Sequence, residues 1–355
     1  MRRFWGVFLA LVLVLSVGAV GTVAAKGGQE QAQVQGKSIK MGLSMNQMDL
    51  VVFHAFADYL KEAVLQEGKA RGYNVDWTMV SANGDVTKQA NDIKDLMSRG
   101  SKVIFGAAID SKTILSSVAQ VRNAGDYFVM YTKAANKSAT GMEVPSATVN
   151  MDSEFQAYGA TIETLKMMAK DGVKPKAIID VHGDIGDENA TNREQGFRKA
   201  LKEYGFENLV AQVVDSGHWE PEVALQNTAA ALQAHPDCNM MYVATDGLMP
   251  GVQTAMENAG KWAKRGQPNH IYLAGTDMYP SGIKYTKERY MDGDVDVPAW
   301  QMAVRAAQVA FDLVEGKTVS QTPFLEKGTV INSDNAADVI ATAPHLWGVD
   351  YAGKE

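Results

Sequence analysis

The sequence predicts an α/β chain folded as two doubly wound, parallel-sheet (Rossmann-like) lobes, and three observations predict it. From Ser38 onward, short apolar runs of strand type alternate with amphipathic helical patterns, and such alternation implies parallel strands joined by right-handed crossovers. A length of 355 residues suits two sheets of about five or six strands better than one giant sheet. The stretch Ala177 to Phe197 passes from an apolar run (Ile178, Ile179, Val181) through a loop broken by Gly183 and Gly186 into a helix opening at about Asn189. In open α/β sheets, ligands bind just beyond the carboxyl end of a strand at such a place.

The elements follow in order. Ile39–Met45 reads as the first strand, and Phe53–Arg71 as a helix with Phe56, Leu60, Ala63 and Val64 on one face. Val75, Trp77 and Met79 alternate with polar residues, the pattern of a sheet edge. Helix Val86–Arg99, stopped by Gly100, leads to strand Val103–Phe105, helix Thr113–Asn123, strand Tyr127–Tyr131, strand Ala147–Asn150 and helix Glu154–Lys170. The second half repeats the plan. After strand Ala177–Val181 come helix Ala190–Tyr204, strand Leu209–Val214, helix Pro221–Gln233, strand Met240–Val243 and helix Met249–Ala259. Strand Ile271–Ala274, helix Ser281–Tyr290, strand Asp294–Val297 and helix Trp300–Glu315 complete it, and an irregular tail runs to Glu355.

Residues 1–25 read differently. Arg2 and Arg3 precede an apolar run from Phe4 to Val17, and Val23-Ala24-Ala25 places small residues where a signal peptidase cuts. A cleaved signal peptide, export to the periplasm, and a flexible leader over 26–37 are expected. No cysteine lies near the cleavage site to carry a lipid anchor. Without Arg2 and Arg3 the chain has 32 basic and 41 acidic residues, and an acidic chain without a basic cluster is a poor partner for nucleic acid. The single cysteine, Cys238, precludes an internal disulfide, and the histidines show no metal-ligand spacing. No metal or cofactor is expected. A Gly-x-Ser-x-Gly elbow, a phosphate loop and a Cys–His nucleophile pair are all missing, so an enzyme is not expected. In the central loop, Asp184, Asp187 and Glu188 would repel a pyrophosphate, and the glycine spacing is not that of a dinucleotide site. A neutral, hydroxyl-rich ligand held by Arg193 fits those residues better.

Several segments together resemble one family. Leu60–Tyr73 is a helix ending in Gly-Tyr-Asn; Asp110-Ser111 follows the third strand; Asn150-Met151-Asp152 opens a crossover. Arg193-x-x-Gly196-Phe197, Ala234-His235-Pro236-Asp237 and Ala274-Gly275-Thr276-Asp277 follow in order. From Lys40 to Gly316 the chain resembles the type I periplasmic sugar-binding proteins, the ribose-binding group in particular, which serve ATP-binding-cassette (ABC) importers. The resemblance implies a three-segment hinge near Asn150–Asp152, Asp296–Pro298 and Phe324–Gly328. It also implies one lobe of 38–151 plus 299–325 and another of 152–298 plus 326–355. The family's stacking aromatics fall on Phe56 and Trp219, and its arginine on Arg193. Its aspartate after the ninth strand falls on Asp277, and its asparagine before the first helix on Asn46 or His54. An aspartate–arginine pair after the fourth strand becomes Thr132-Lys133, an asparagine after the eighth becomes Thr245, and a glutamine falls near Asp296 or Val297. These departures open the ligand class to another sugar, a sugar alcohol or a cyclitol. The implied partner is a membrane ABC permease and the implied state a monomer. A sensor role, presenting the ligand to a chemoreceptor or sensor kinase, is the alternative.

Overall fold

A computed structural model describes residues 36–354; the expected signal peptide and the leader up to residue 35 lie outside the described residues. The chain runs β1 (Lys37–Met45), α1 (Val51–Ala70), β2 (Tyr73–Ser81), α2 (Val86–Ser98), β3 (Val103–Gly106), α3 (Ile114–Asn123), β4 (Tyr127–Tyr131), β5 (Ala147–Met151) and α4 (Ser153–Lys170). It continues through β6 (Ala177–His182), α5 (Glu188–Glu203), β7 (Val210–Asp215), α6 (Pro221–Ala234), β8 (Cys238–Val243), α7 (Met249–Asn258), β9 (Tyr272–Ala274), α8 (Pro280–Lys287), β10 (Gly293–Val295) and α9 (Ala299–Val314). The final elements are β11 (Phe324–Glu326), β12 (Val330–Asn332), α10 (Ala336–Thr342) and α11 (Trp347–Asp350). The tail is therefore ordered structure, not the irregular segment the sequence predicts. Its three-residue strands are too short for periodicity to reveal.

Two six-stranded sheets result, in the orders β11-β5-β4-β3-β1-β2 and β12-β10-β9-β8-β6-β7. The pairings are parallel except that of β10 with β12. The expectation of two parallel-sheet lobes holds. The chain passes between the sheets after β5, after β10 and after β11, and these crossings lie side by side: Asp152 N donates to Glu326 O at 2.8 Å and Asp296 N to Thr329 O at 3.0 Å.

Alternation along the strands sorts each core into two layers. On β4, Val129 and Tyr131 meet α1 and α9, whereas Phe128 and Met130 meet α2 and α3. On β6, Ile179 and Val181 face α6 and α7, whereas Ile178 packs with Phe197 of α5 and Leu165 of α4. Each such fully buried side chain contributes about 1.5–3 kcal/mol. β2 lies at the edge of the first sheet, as the alternation of Val75, Trp77 and Met79 predicts.

Gly196 lets α4 and α5 touch. A Cβ there would stand 2.0 Å from Glu154 O and 3.0 Å from Tyr158 N, and neither backbone atom can rotate away. Gly196→Ala is therefore expected to lower stability by about 1–3 kcal/mol, the usual cost of overpacking. Urea denaturation measures it, and an unchanged midpoint would show that the helices separate freely.

Candidate ligand-binding site

A cavity of about 750 Å³ lies between the sheets, lined from the first lobe by Phe53, His54, Phe56, Thr132 and Lys133 and from the second by Asp184, Asp187, Arg193, Trp219, Thr245 and Asp277. Its size falls within the roughly 300–1,000 Å³ of small-molecule sites. The first turns of α1 and α5 and the loops that follow β4, β6, β7, β8 and β9 supply these side chains.

The second-lobe wall is built on Arg193, one turn into α5. This helix starts at Glu188, one residue before the position predicted at Asn189, because Asp187 is the N-cap and its side chain accepts from Asn189 N at 2.8 Å. A carboxylate serves as a cap as well as asparagine and also favours the positive end of the helix. Arg193 is buried and its fork is filled. It pairs with both oxygens of Asp277, and donates to Ala244 O at 2.8 Å and Gln156 Oε1 at 3.0 Å. Thr245 Oγ1 donates to Asp277 Oδ2 at 2.6 Å. Burial opposes the charge on Arg193, but Asp277 more than offsets this and raises the guanidinium's pKa. The indole of Trp219 lies with its ring centre 6.0 Å from the guanidinium carbon. It is seated on Gly183, where a Cβ would fall 2.0 Å from the ring.

Across the cavity, Phe56 is buried in the core beneath the wall and meets Tyr131 edge-on at 6.1 Å. Phe53 lies beside it at 6.2 Å. His54 is exposed at the rim. Lys133 reaches across to Asp187 at 3.4 Å and Lys137 to Glu188 at 2.7 Å. The hydroxyl of Thr132 is buried and has no hydrogen-bond partner among the described residues.

Two predicted residues are placed elsewhere. Asn46 is buried at the end of β1, where its carbonyl accepts from Gly84 N at 2.8 Å, and it does not line the cavity; of the pair Asn46 or His54, the structure puts His54 there. Asp296 is buried and turned toward β12, accepting from Thr329 N, while Val297 lines the cavity. Side chains of extended backbone alternate in direction, so a one-residue shift exchanges the faces.

Gln156 is the residue sequence reasoning missed. Fully buried in the first turn of α4, it accepts from Arg193 and donates to Asp277 Oδ1 at 3.4 Å and Asp296 O at 2.9 Å. An amide on the otherwise apolar or small-residue stripe Ala157, Ala160, Leu165 was the available signal.

Three site residues, Thr132, Trp219 and Asp277, have left-handed backbone, with φ of 66°, 63° and 91°. Non-glycine residues held this way cost about 1–3 kcal/mol each and cluster where side chains must be aimed.

Behind the wall, burial raises the pKa of further carboxyls: Asp294, Asp296 and Asp180 are each pushed up to about 7. Asp246 is raised well above the usual range by burial and by Asp294 and Asp277. Unfolded aspartates titrate near pH 3.9, so between about pH 4 and 7 the native state keeps protons that the unfolded state releases. Stability contributed by these groups is present at low pH and lost as pH rises through that window. Asp171 works in the opposite sense: hydrogen bonding from Arg265 lowers its pKa to about 2, so its contribution is lost only as pH falls below about 4. The urea midpoint is expected to be lower at pH 8 than at pH 5, and Asp294→Asn is expected to flatten the slope. A slope unchanged in that variant would contradict it.

Among the described residues, Asp180, His182 and Glu194 bring metal-capable atoms within 4.8 Å of one another. Arg198 stands 3.6 Å from Asp180 and 3.5 Å from Glu194 and already supplies positive charge there. No helix among the described residues is long and apolar enough to cross a membrane.

The family model of the periplasmic binding protein domain matches residues 51–318. The ribose import binding protein of Salmonella typhimurium is 24% identical over 260 residues, covering 73% of this chain and 81% of that protein. The D-allose-binding periplasmic protein of Escherichia coli is 26% identical over 282 residues, covering 79% and 83%. An ABC transporter solute-binding protein of Bacillus halodurans, solved with myo-inositol bound, has the same fold, with a TM-score of 0.68 at 18% identity over 86% of this chain and 98% of that one.

Proposed function

The chain belongs to the periplasmic binding protein domain family, and from that premise we propose that it captures a neutral sugar, sugar alcohol or cyclitol in the cleft and delivers it to an ABC importer from the periplasm. The observation that carries this reading is the buried Arg193–Asp277 pair beside the Trp219 indole in one cavity. The ring offers a flat surface to the weakly apolar face of a sugar. The pair can exchange its longer bonds, Arg193 to Asp277 Oδ2 at 3.3 Å and Gln156 to Asp277 Oδ1 at 3.4 Å, for charge-assisted bonds to the sugar's hydroxyls, worth roughly 1.5–3 kcal/mol each. Because Asp277 already balances Arg193, Lys133 stands against Asp187 and His218 against Asp184, an anionic or cationic ligand would leave one charge uncompensated. The relatives' ligands, ribose and allose, are neutral polyols of this kind.

Phe56, His54, Lys133 and Thr245 join Arg193, Trp219 and Asp277 as the proposed contacts, with the unpartnered Thr132 hydroxyl as a further acceptor. Ligand bridging both walls would favour a closed arrangement of the lobes (38–151 plus 299–325 against 152–298 plus 326–355), turning about the three crossings. This is a binding role without chemistry on the ligand.

A thermal-shift screen of pentoses, hexoses, pentitols and inositols tests the reading. A true ligand at 100 times its dissociation constant adds about 2.7 kcal/mol to stability. Stabilisation by uronic acids or amino acids with no response to any neutral polyol would overturn it. Retention of the loaded protein by a receptor or sensor kinase, and not by permease-containing membranes, would move it from delivery to sensing.

A further inference from the structure

The last residues of the chain belong to neither wall alone. Trp347 is fully buried, and its indole N–H donates to the carbonyl of Asp277 at 2.7 Å. Its ring meets Tyr279 edge-on at 4.8 Å. The next residue, Gly348, presses on the same loop so closely that a Cβ would fall 2.1 Å from Met278 O. These contacts fasten the arm to the loop after β9 in the second lobe. The opposite side of the arm is fastened to α1 of the first lobe: Tyr59 donates to Asp350, and Tyr351 donates to Asp58 Oδ2 at 2.8 Å. His345 stacks on Trp300 of α9 with ring centres 4.3 Å apart.

From this we infer that residues 345–354 form a fourth connection between the lobes, and that Trp347 is a positioning residue for the ligand carboxylate of Asp277. The inference rests on the reading of the cleft as a solute site only for its second half. Asp277 holds a strained backbone, φ 91°, and such a conformation persists only where its surroundings enforce it. The indole bond to its carbonyl is one such enforcement. It places the carboxylate where Arg193 and Thr245 meet it. Rotation of the lobes strains the arm's contacts with α1 or with the loop after β9, so the arm opposes opening and keeps the empty protein nearer its ligand-binding geometry than the three crossings alone would. A protein whose competent state is fully populated binds without the affinity loss that a minor competent state imposes.

The test measures the distance between spin labels on Lys94→Cys in α2 and Gln233→Cys in α6, both exposed, in the protein without ligand; Cys238 is buried and escapes labelling. The arm is loosened on the α1 side by Asp350→Ala with Tyr351→Phe, and the indole bond is removed by Trp347→Phe. The expected result is a broadened, longer distance distribution in the first variant. In the second, the polyol found by the screen is expected to bind about tenfold more weakly, as when the competent fraction falls to about a tenth, measured well below a melting temperature that itself falls because a fully buried indole is replaced by a smaller ring. A distribution superimposable on the parent in the first variant would overturn the connection. An affinity unchanged in Trp347→Phe would overturn the positioning role. The distance is read without ligand, so a screen that finds no polyol would count against the proposed function while leaving the connection to stand or fall by itself.

Discussion

Replacing Arg193 by alanine is expected to lower the unfolding free energy by about 3–5 kcal/mol and to abolish ligand binding. The guanidinium is buried against Asp277, and its removal strands a carboxylate with only Thr245 and Gln156 beside it. An unpaired buried charge costs far more than the pair contributes when intact. Arg193→Lys is expected to recover part of the stability and little of the binding. An ammonium is a point charge and cannot bond Asp277, Gln156 and Ala244 O in the plane a guanidinium spans. A double variant, Arg193→Met with Asp277→Leu, is expected to be more stable than Arg193→Ala although it cannot bind. Urea denaturation ranks the three, and a single alanine variant as stable as the parent would show that the pair is solvated.

Alanine at Trp219 is expected to weaken binding by at least about tenfold, since an aromatic face contributes about 0.5–1.5 kcal/mol beyond its buried area and about 1.4 kcal/mol is tenfold in affinity. Gly183→Ala is expected to do the same at a distance from the ligand. The added methyl would lie 2.0 Å from the indole, so the ring must leave its seat. Calorimetric titration of the two variants measures both effects. Equal affinity in Gly183→Ala would mean that the ring stacks on nothing in the complex.

Much of this architecture is legible in the residues because strands covered on both faces, such as Val103–Phe105, are written mainly in apolar letters, and because glycine and aspartate mark their ends. The edge position of β2 is legible in the half-apolar alternation of Val75, Trp77 and Met79. Arg193, Trp219 and Asp277 were legible through a resemblance, and the cavity they share required the fold. Other features were hidden for identifiable reasons. β11 and β12 are three residues each and exist only because distant strands pair with them. Nothing local marks Trp219 or Asp277 as left-handed, since both conformations are imposed by tertiary packing. Gln156 was hidden by its place in an ordinary amphipathic turn. The position of Asp296 turned on a single residue of register, which decides whether a side chain enters the cleft or the core, and that of Asn46 on the residues between β1 and α1.

The central claim is that a charge-balanced cleft between two lobes holds a neutral polyhydroxylated ligand. Calorimetric titration of the best polyol from the screen, beside its own uronic acid, tests it most directly. The account predicts one neutral molecule bound per chain, with the acid at least about tenfold weaker because its carboxylate finds the guanidinium already paired. An acid that binds more tightly than the neutral polyol would contradict it.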